Sequence, residues 1–284
     1  MSTPRPLISC DSPAGSRAQH ILSAVERRYP TAWTHAEDFR RQRNQDLLHW
    51  ADWCYVPLLA AYRTVSNDAT ELIHPTRSHH CAIVAALSTW RVTQGLYKFD
   101  GGLYGDLIHA DTEFQIEEHS YYHLPQWSVY VQTPGLQWHE RRLHGFWAHL
   151  TEDLITESQQ LCLLLDTASD VHDPFDYFSG CLPISVSLDA LPLEEAISTA
   201  QLINSARLIR SGYIGHSHFQ ENTSPSALRS VLALLNYLCT NYAAISGHNG
   251  TPRNPVTAPS HATPIATRPE TWEVRSADGL GNNN

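Results

Sequence analysis

The spacing of the apolar residues changes abruptly in the middle of the chain, and that change limits the possible folds more than any other feature. Up to about Gly102 apolar side chains recur at helical spacing, and from Leu124 they alternate with a period of two. Before the change lies "HHCAIVAALSTWRVTQG", in which Ile83, Leu87 and Trp90 share one face and Gly95 can supply a left-handed C-terminal position. After it lies "LPQWSVYVQT", in which Trp127, Val129 and Val131 alternate with Ser128, Tyr130 and Gln132 between Pro125 and Pro134-Gly135. Three further strands are predicted in "RLHGFWAHL", "QLCLLLDT" and "LPISVSLD". The unbroken apolar run at 161–165 predicts a central strand covered on both faces.

Helices flank this block. "WTHAEDF" has the spacing of a capping box, with Thr34 as N-cap and Glu37 three residues on, and predicts a helix running as far as Pro57. "PLEEAISTAQLINSARLIR" places Pro192 in a first turn and Leu193, Ala196, Ile197, Ala200 and Ile203 on one face. In "SPSALRSVLALLNYLCTNY", Ser224 and Pro225 mark the start, and Leu228, Val231, Leu232, Leu235, Leu238 and Tyr242 form the apolar stripe. Helices, then strands, then helices predict an α+β fold: a central, largely antiparallel sheet of about four strands with N-terminal and C-terminal helices packed on it. Residues 1–30 are expected to be a variable N-terminal segment, 31–246 a single domain, and 247–284 a flexible Pro/Thr-rich tail. One exception is expected in that tail, since Trp272 and Val274 in "TWEVRS" are spaced to face one side of a short docked strand.

Composition narrows the function. The 284 residues carry 29 acids against 19 bases, a formal net charge of −10, and strong direct nucleic-acid binding is not expected from such a balance. Lys98 is the only lysine. The six cysteines contain no Cys-x-x-Cys pair and are expected to be small buried hydrophobes in a reducing compartment. With no apolar run long enough for a membrane span and no leader pattern at "MSTPRPLISCDSPAGS", a soluble cytoplasmic protein is expected.

Catalytic signatures are not spelled out. The chain has no phosphate-binding Gly-x-x-x-x-Gly-Lys loop and no Gly-x-Ser-x-Gly elbow. "HERRLH" has one residue too many for the zinc-protease pattern, and "HSH" at 216–218 is expected in an exposed loop. The cluster at 106–123, with His109, Asp111, Glu113, Glu117, Glu118, His119 and His123, defines the rival reading, a metal-dependent nuclease or hydrolase. Its spacing fixes no ligand geometry, and solvated acidic surface is the simpler expectation. No catalytic residue, metal ligand or cofactor is therefore assigned, and an enzyme is the less expected reading.

Aromatic density stands out. Trp90, Tyr97, Phe99, Tyr104, Tyr121, Tyr122, Trp127, Tyr130, Trp138, Phe146 and Trp147 fall in the central third, interleaved with Arg91, Arg141 and Arg142. Most belong in a core, but aromatics beside arginines also make peptide- and protein-binding surfaces. Arg91, Tyr97, Tyr130, Arg141, Phe146 and Trp147 are the expected partner-binding residues. Trp90, Gly95, Trp127 and Gly145 are the expected structural ones, with Trp90 in the core and Arg91 facing outward.

The elements Trp90-Arg91, Thr93, Gly95, Tyr97 and Asp100, then Leu124-Pro125, Trp127, Val129, Tyr130 and Val131, then Gly145, Phe146, Trp147 and Ala148, followed late by "TWEVRSADG", together resemble one family. It is the second of the named type V-A anti-CRISPR families, carried by phages, plasmids and other mobile elements. The resemblance is firm over about 81–150, extends to about 242, and is weak before 47. It implies an inhibitor of effector biogenesis: recognition of the N-terminal polypeptide of the type V-A effector during translation, followed by loss of its messenger RNA. The implied partner is that nascent polypeptide, with the translating ribosome as a second candidate and no membrane. The chain departs from the family after "TWEV", where "SADGLGNNN" stands in place of a basic arm. A plasmid-encoded accessory protein with another target is the remaining alternative.

Overall fold

The computed structural model describes residues 14–43, 45, 49–68, 74–109, 115–116, 118–152, 159–169, 172–176, 179–188, 191–192, 194–200, 224–247, 250–252 and 265–277. Helices α1 (Ala14–Arg28), α2 (Ala32–Arg41), α3 (Leu58–Asp68) and α4 (His74–Trp90) come first. Strand β1 (Gly95–Phe99) and helix α5 (Gly101–His109) follow, then β2 (Gln115–Ile116), α6 (Glu118–Tyr121), β3 (Ser128–Gln132), β4 (Gln137–Trp138), β5 (Arg141–Arg142), β6 (Gly145–Glu152), β7 (Gln159–Leu165), β8 (Leu182–Ser187) and β9 (Leu191–Pro192). Residues 194–200 are helical (α7), and α8 (Pro225–Thr240), β10 (Ile245–Gly247) and β11 (Glu270–Val274) complete the order.

The α+β class is as expected, but the sheet is larger than four antiparallel strands. Seven strands pair in the order β10-β11-β1-β3-β6-β7-β8. The four expected strands, β3, β6, β7 and β8, form one antiparallel half. Strand β7 is interior, yet the middle place belongs to β3. Beyond β3 the sheet turns mixed, because β1 is parallel to both β3 and β11. The parallel β1–β3 step is made possible by the crossover through α5 and α6, which returns the chain to the same end of the sheet.

Strand β11 is the docked "TWEV" segment. It inserts between β10 and β1, with Trp272 and Val274 buried, so this part of the expected tail is an interior strand. Residues 253–264 and 278–284 of that segment lie outside the described residues. At the other end, α1 is not peripheral: Ala18, Ile21 and Val25 are buried beside α4 and the sheet.

Both faces of the sheet are covered. Val129, Val131, Phe146, Ala148, Leu161, Leu163, Leu165, Ile184 and Val186 share one core with Leu228, Val231, Leu232, Leu235 and Leu238 of α8. The stripe expected of α8 is thus its packing face, and its side chains, at ~1.5–3 kcal/mol each, make this the main apolar layer. Leu96, Tyr130, Trp147 and Leu164 point the other way, onto α4 and α1. A third cluster, Phe39, Trp50, Cys54, Tyr55, Val56, Ala60, Val92 and Trp127, fills the corner between α2, the 49–57 segment and β3.

That corner explains why the helix expected to run to Pro57 stops at Arg41. Trp50 Nε1 donates to the Cys54 carbonyl (3.1 Å) and Arg43 Nε to the Trp50 carbonyl (2.8 Å), so side chains close a turn where a helix would have carried the rings apart. The Thr34–Glu37 capping box does not form either. The helix starts at Ala32, Thr31 Oγ1 meets His35 Nδ1, and the Glu37 carboxylate serves Arg91. Pro192 lies in the β2–β9 bridge instead of a helical first turn. The left-handed residue after α4 is Gln94 (φ 48°), and Gly95 begins β1. No helix among the described residues is long and apolar enough to cross a membrane.

Candidate functional site

The aromatic motifs of the central third converge on one joint. Trp90 at the end of α4 meets Trp147 of β6 edge to face (centroids 6.2 Å), and Trp147 meets Tyr130 of β3 in the same way at 4.6 Å. Trp90 Nε1 donates to the Gly95 carbonyl (2.9 Å), which pins the turn between α4 and β1. Two glycines permit this closeness. A Cβ on Gly145 would lie 2.5 Å from the Tyr130 ring, and one on Gly95 would overlap the Gln126 amide. Trp90, Gly95 and Gly145 therefore hold α4 on the sheet. Trp127 sits one residue before β3, donates from Nε1 to the Asp52 carbonyl (3.1 Å) and fastens the 49–57 segment.

The six expected partner-binding residues fall in structural positions. Tyr97, Tyr130, Phe146 and Trp147 are fully buried, because alternation sends each of them into one of the two covered layers. Tyr130 donates to Asp166 Oδ2 (2.9 Å), and burial followed by that carboxylate pushes its phenol well above the ordinary range. Arg141 of β5 donates to the carbonyls of Thr167 (3.0 Å) and Gly180 (2.8 Å), and burial lowers its pKa. Arg91 does not face outward. Its side chain is 14% exposed, pairs with Glu37 and lies over the Trp33 ring at 5.3 Å, joining α2 to α4.

Arginines of α2 and of the turn after it pack on the buried aromatics of the 49–57 segment and on Trp127. Arg40 stacks on Tyr55 (4.5 Å) and Trp127 (4.9 Å) and donates to the Tyr55 carbonyl (2.7 Å), and burial lowers its pKa. Arg43 lies over Trp50 at 5.8 Å and pairs with Asp52, and Arg41 pairs with Asp38. Arg40, Arg41 and Arg43, three near-consecutive cations in sequence, are thus turned to different partners and do not form one basic patch.

Beside them α2 and α3 enclose a cleft of about 260 Å³ lined by His35, Asp38, Phe39, Arg41, Gln42, Gln45 and Arg63. Along α3, Leu59, Tyr62 and Arg63 are exposed while Ala60, Ala61, Thr64 and Val65 are buried. Positions i, i+3 and i+4 make one stripe. Leu59 (44%) and Tyr62 (40%) are two of the three exposed large hydrophobic residues among those described. Sequence reasoning missed this stripe because "PLLAAYRTVS" was assigned no role. The signal available was Leu59 and Tyr62 spaced with Arg63 opposite a run of alanines.

Other polar groups are internal. Asp166 is fully buried and takes Arg17 from α1 through two bonds of 2.7 Å, Nε to Oδ2 and Nη2 to Oδ1. His149 is buried in β6, in register with Ser128 on one side and Cys162 on the other. Burial lowers His149 and His80 to about 4 and His79 to about 3, so all three are neutral. Cys54, Cys81, Cys181 and Cys239 are free and buried, and burial pushes Cys54 and Cys81 up to about 12. No three His, Cys, Asp or Glu side chains among the described residues are placed to hold a metal ion. Of the 106–123 cluster, Asp111, Glu113 and Glu117 lie outside the described residues, as does "HSH" at 216–218. "HERRLH" is a β4–β5 hairpin whose turn holds His139 at φ 54°, not a helical ligand pair.

Comparison with known proteins gives the framework its family. A crystal structure of AcrVA2 shares the fold with a TM-score of 0.61 at 17% identity, covering 92% of this chain and 83% of that chain. No curated protein sequence matches. The model of the AcrVA2-like family, anti-CRISPR type V subtype A2, matches residues 97–278, more than half of the chain. This protein therefore belongs to the type V subtype A2 anti-CRISPR family.

Proposed function

We propose that this protein recognises the N-terminal polypeptide of a type V-A CRISPR effector as it leaves the ribosome and thereby lowers the effector's messenger RNA. The observation that carries the reading is the family match over 97–278, which runs from within β1 to the end of β11. The exposed stripe on α3 and the cleft beside it add a surface suited to a polypeptide, with apolar side chains next to a guanidinium. The activity is one of binding and needs no cofactor. It takes place in the bacterial cytoplasm, where the effector is translated, and the element that carries the gene is a phage or plasmid.

Co-expression with a type V-A effector tests the proposal. Effector message is expected to fall, to fall equally when the early codons are recoded synonymously, and to recover when a compensated frameshift changes the early peptide. Message that follows the codons instead of the peptide would mean that RNA sequence is what the protein reads.

A further inference from the structure

The cleft between α2 and α3 holds one guanidinium, that of Arg63, with no carboxylate paired to it among the described residues. Its lining holds the guanidiniums of Arg41 and Arg63 against a single carboxylate, Asp38. Asp38 is already taken by Arg41 at 2.5 Å, and Arg41 also meets Glu37 at 3.9 Å. Arg63 is exposed and has no carboxylate partner among the described residues, although acids outnumber bases in the chain by 29 to 19. On the same helix, one turn and one residue before it, Leu59 and Tyr62 stand in solvent. Exposed large apolar side chains on one stripe mark an interaction surface more often than isolated ones do.

We infer that the α3 stripe and the adjoining cleft bind a short peptide in which an acidic residue lies next to apolar side chains, the carboxylate pairing with Arg63 and the apolar groups packing on Leu59 and Tyr62. This rests on the function proposed above and assigns it a place. The Gln42 and Gln45 amides line the same cleft and supply donors and acceptors for a peptide backbone. A phosphate chain fits less well. Nucleic-acid binding draws on clustered cations, whereas Arg40, Arg41 and Arg43 are turned to Tyr55 and Trp127, Asp38, and Asp52 respectively, and Asp38 lies in the path. The stripe lies outside residues 97–278, the part of the chain matched by the family model.

The test is fluorescence anisotropy with the purified full chain, three labelled peptides and a labelled single-stranded RNA oligonucleotide. The peptides are the effector's N-terminal peptide, a designed peptide with Phe and Leu between two Glu residues, and the same peptide with Lys for Glu. Binding of the first two, weakened by salt and lost roughly tenfold or more in Arg63→Glu and in the Leu59→Ser/Tyr62→Ser double variant, is the expected result. Arg268→Glu, an exposed charge elsewhere, should change nothing. All replaced side chains are exposed, and an unchanged thermal midpoint checks that the variants fold. Effector peptide that binds wild type and both variants equally would overturn the site and leave the proposed function standing. Designed peptide that binds through Arg63 while the effector peptide does not would keep the site and remove the effector as its ligand. Binding of neither acidic probe, or equal binding of the Lys probe, would overturn the site. A single-stranded RNA oligonucleotide that binds and is released by Arg63→Glu would also overturn it, in favour of a phosphate ligand.

Discussion

The two faces of the sheet are built on different principles. The face under α8 is close to uniformly apolar: Tyr97, Phe99, Val129, Val131, Phe146, Ala148, Leu150, Leu161, Leu163, Leu165, Ile184 and Val186 look onto Leu228, Val231, Leu232 and Leu235. The face under α4 mixes Leu96, Tyr130, Trp147 and Leu164 with Ser128, His149, Thr151, Ser185 and, just past β7, Asp166. Apolar burial is non-directional and holds α8 wherever the stripe fits. The α4 face is held by specific bonds: Arg17 and Tyr130 to Asp166, Trp90 to the Gly95 carbonyl, and the Leu58 amide to Thr151 Oγ1 at 3.2 Å. The difference teaches where precision is needed. The helices on the polar face are α1 and α4, with α3 packed on α4, and α3 carries the exposed stripe.

The largest effect is expected from the apolar face. Truncation after Gly250 removes β11 from between β10 and β1 and takes Trp272 and Val274 out of the core. It should abolish cooperative unfolding in urea. A truncated chain with an unchanged transition would mean that β11 adds nothing to the sheet.

Next comes the buried ion pair on the polar face. Asp166→Ala removes the carboxylate paired with the Arg17 guanidinium, which is 10% exposed, and should cost about 3–5 kcal/mol in equilibrium unfolding. The double variant Arg17→Met/Asp166→Leu should recover most of that loss, because removing both charges also removes their desolvation cost. Failure of the double variant to recover would show that the pair's geometry, not its charge balance, carries the joint. Trp90→Ala, at about 3–5 kcal/mol, belongs with it, since both variants loosen α1 or α4 while leaving α8 in place.

How much of this was readable in the sequence follows the same division. Strands β3, β6, β7 and β8 and helix α8 are legible because alternation, an unbroken apolar run in β7, or a helical stripe specifies each of them. Strands β1 and β11 were harder. "GLYKF" follows directly on a helix exit and pairs in parallel with residues far away in sequence, and no local pattern encodes such a partner. The Arg17–Asp166 pair spans 149 positions and was invisible for the same reason. The aromatic motif was located correctly but assigned to a surface, because sequence shows that Tyr130 and Trp147 oppose Val129 and Phe146 without showing that a second helical layer covers them. The exposed stripe was missed because a Leu and a Tyr among alanines resemble any half-buried helix.

A smaller effect separates the faces by pH. The histidines buried among the described residues, His79, His80 and His149, all lie on the α4 side, with pKa values lowered to about 3, 4 and 4. The unfolded chain takes up protons on them below about 6.5 while the native state does not, so unfolding binds protons and stability falls as pH falls. The stability present above pH 6.5 should be lost progressively down to about pH 4, at up to about 1.4 kcal/mol per pH unit for each group. His149→Leu should flatten that slope. An unchanged slope would place the acid sensitivity elsewhere.

The smallest expected effect is at Arg91. Its partner Glu37 is a third exposed, so solvent screens the pair, and Arg91→Ala should cost about 1 kcal/mol or less while loosening α2 from α4. A loss of several kcal/mol would make this contact as indispensable as Asp166.

The central claim is that the polar-face helices present the surface that reads the effector, while the sheet supplies only the framework. Effector message measured in cells expressing wild type or Arg63→Glu, at equal levels of the two proteins, tests it most directly. The account predicts that wild type lowers the message and that Arg63→Glu restores it to near the level without inhibitor. A variant that still lowers the message as wild type does would contradict the claim.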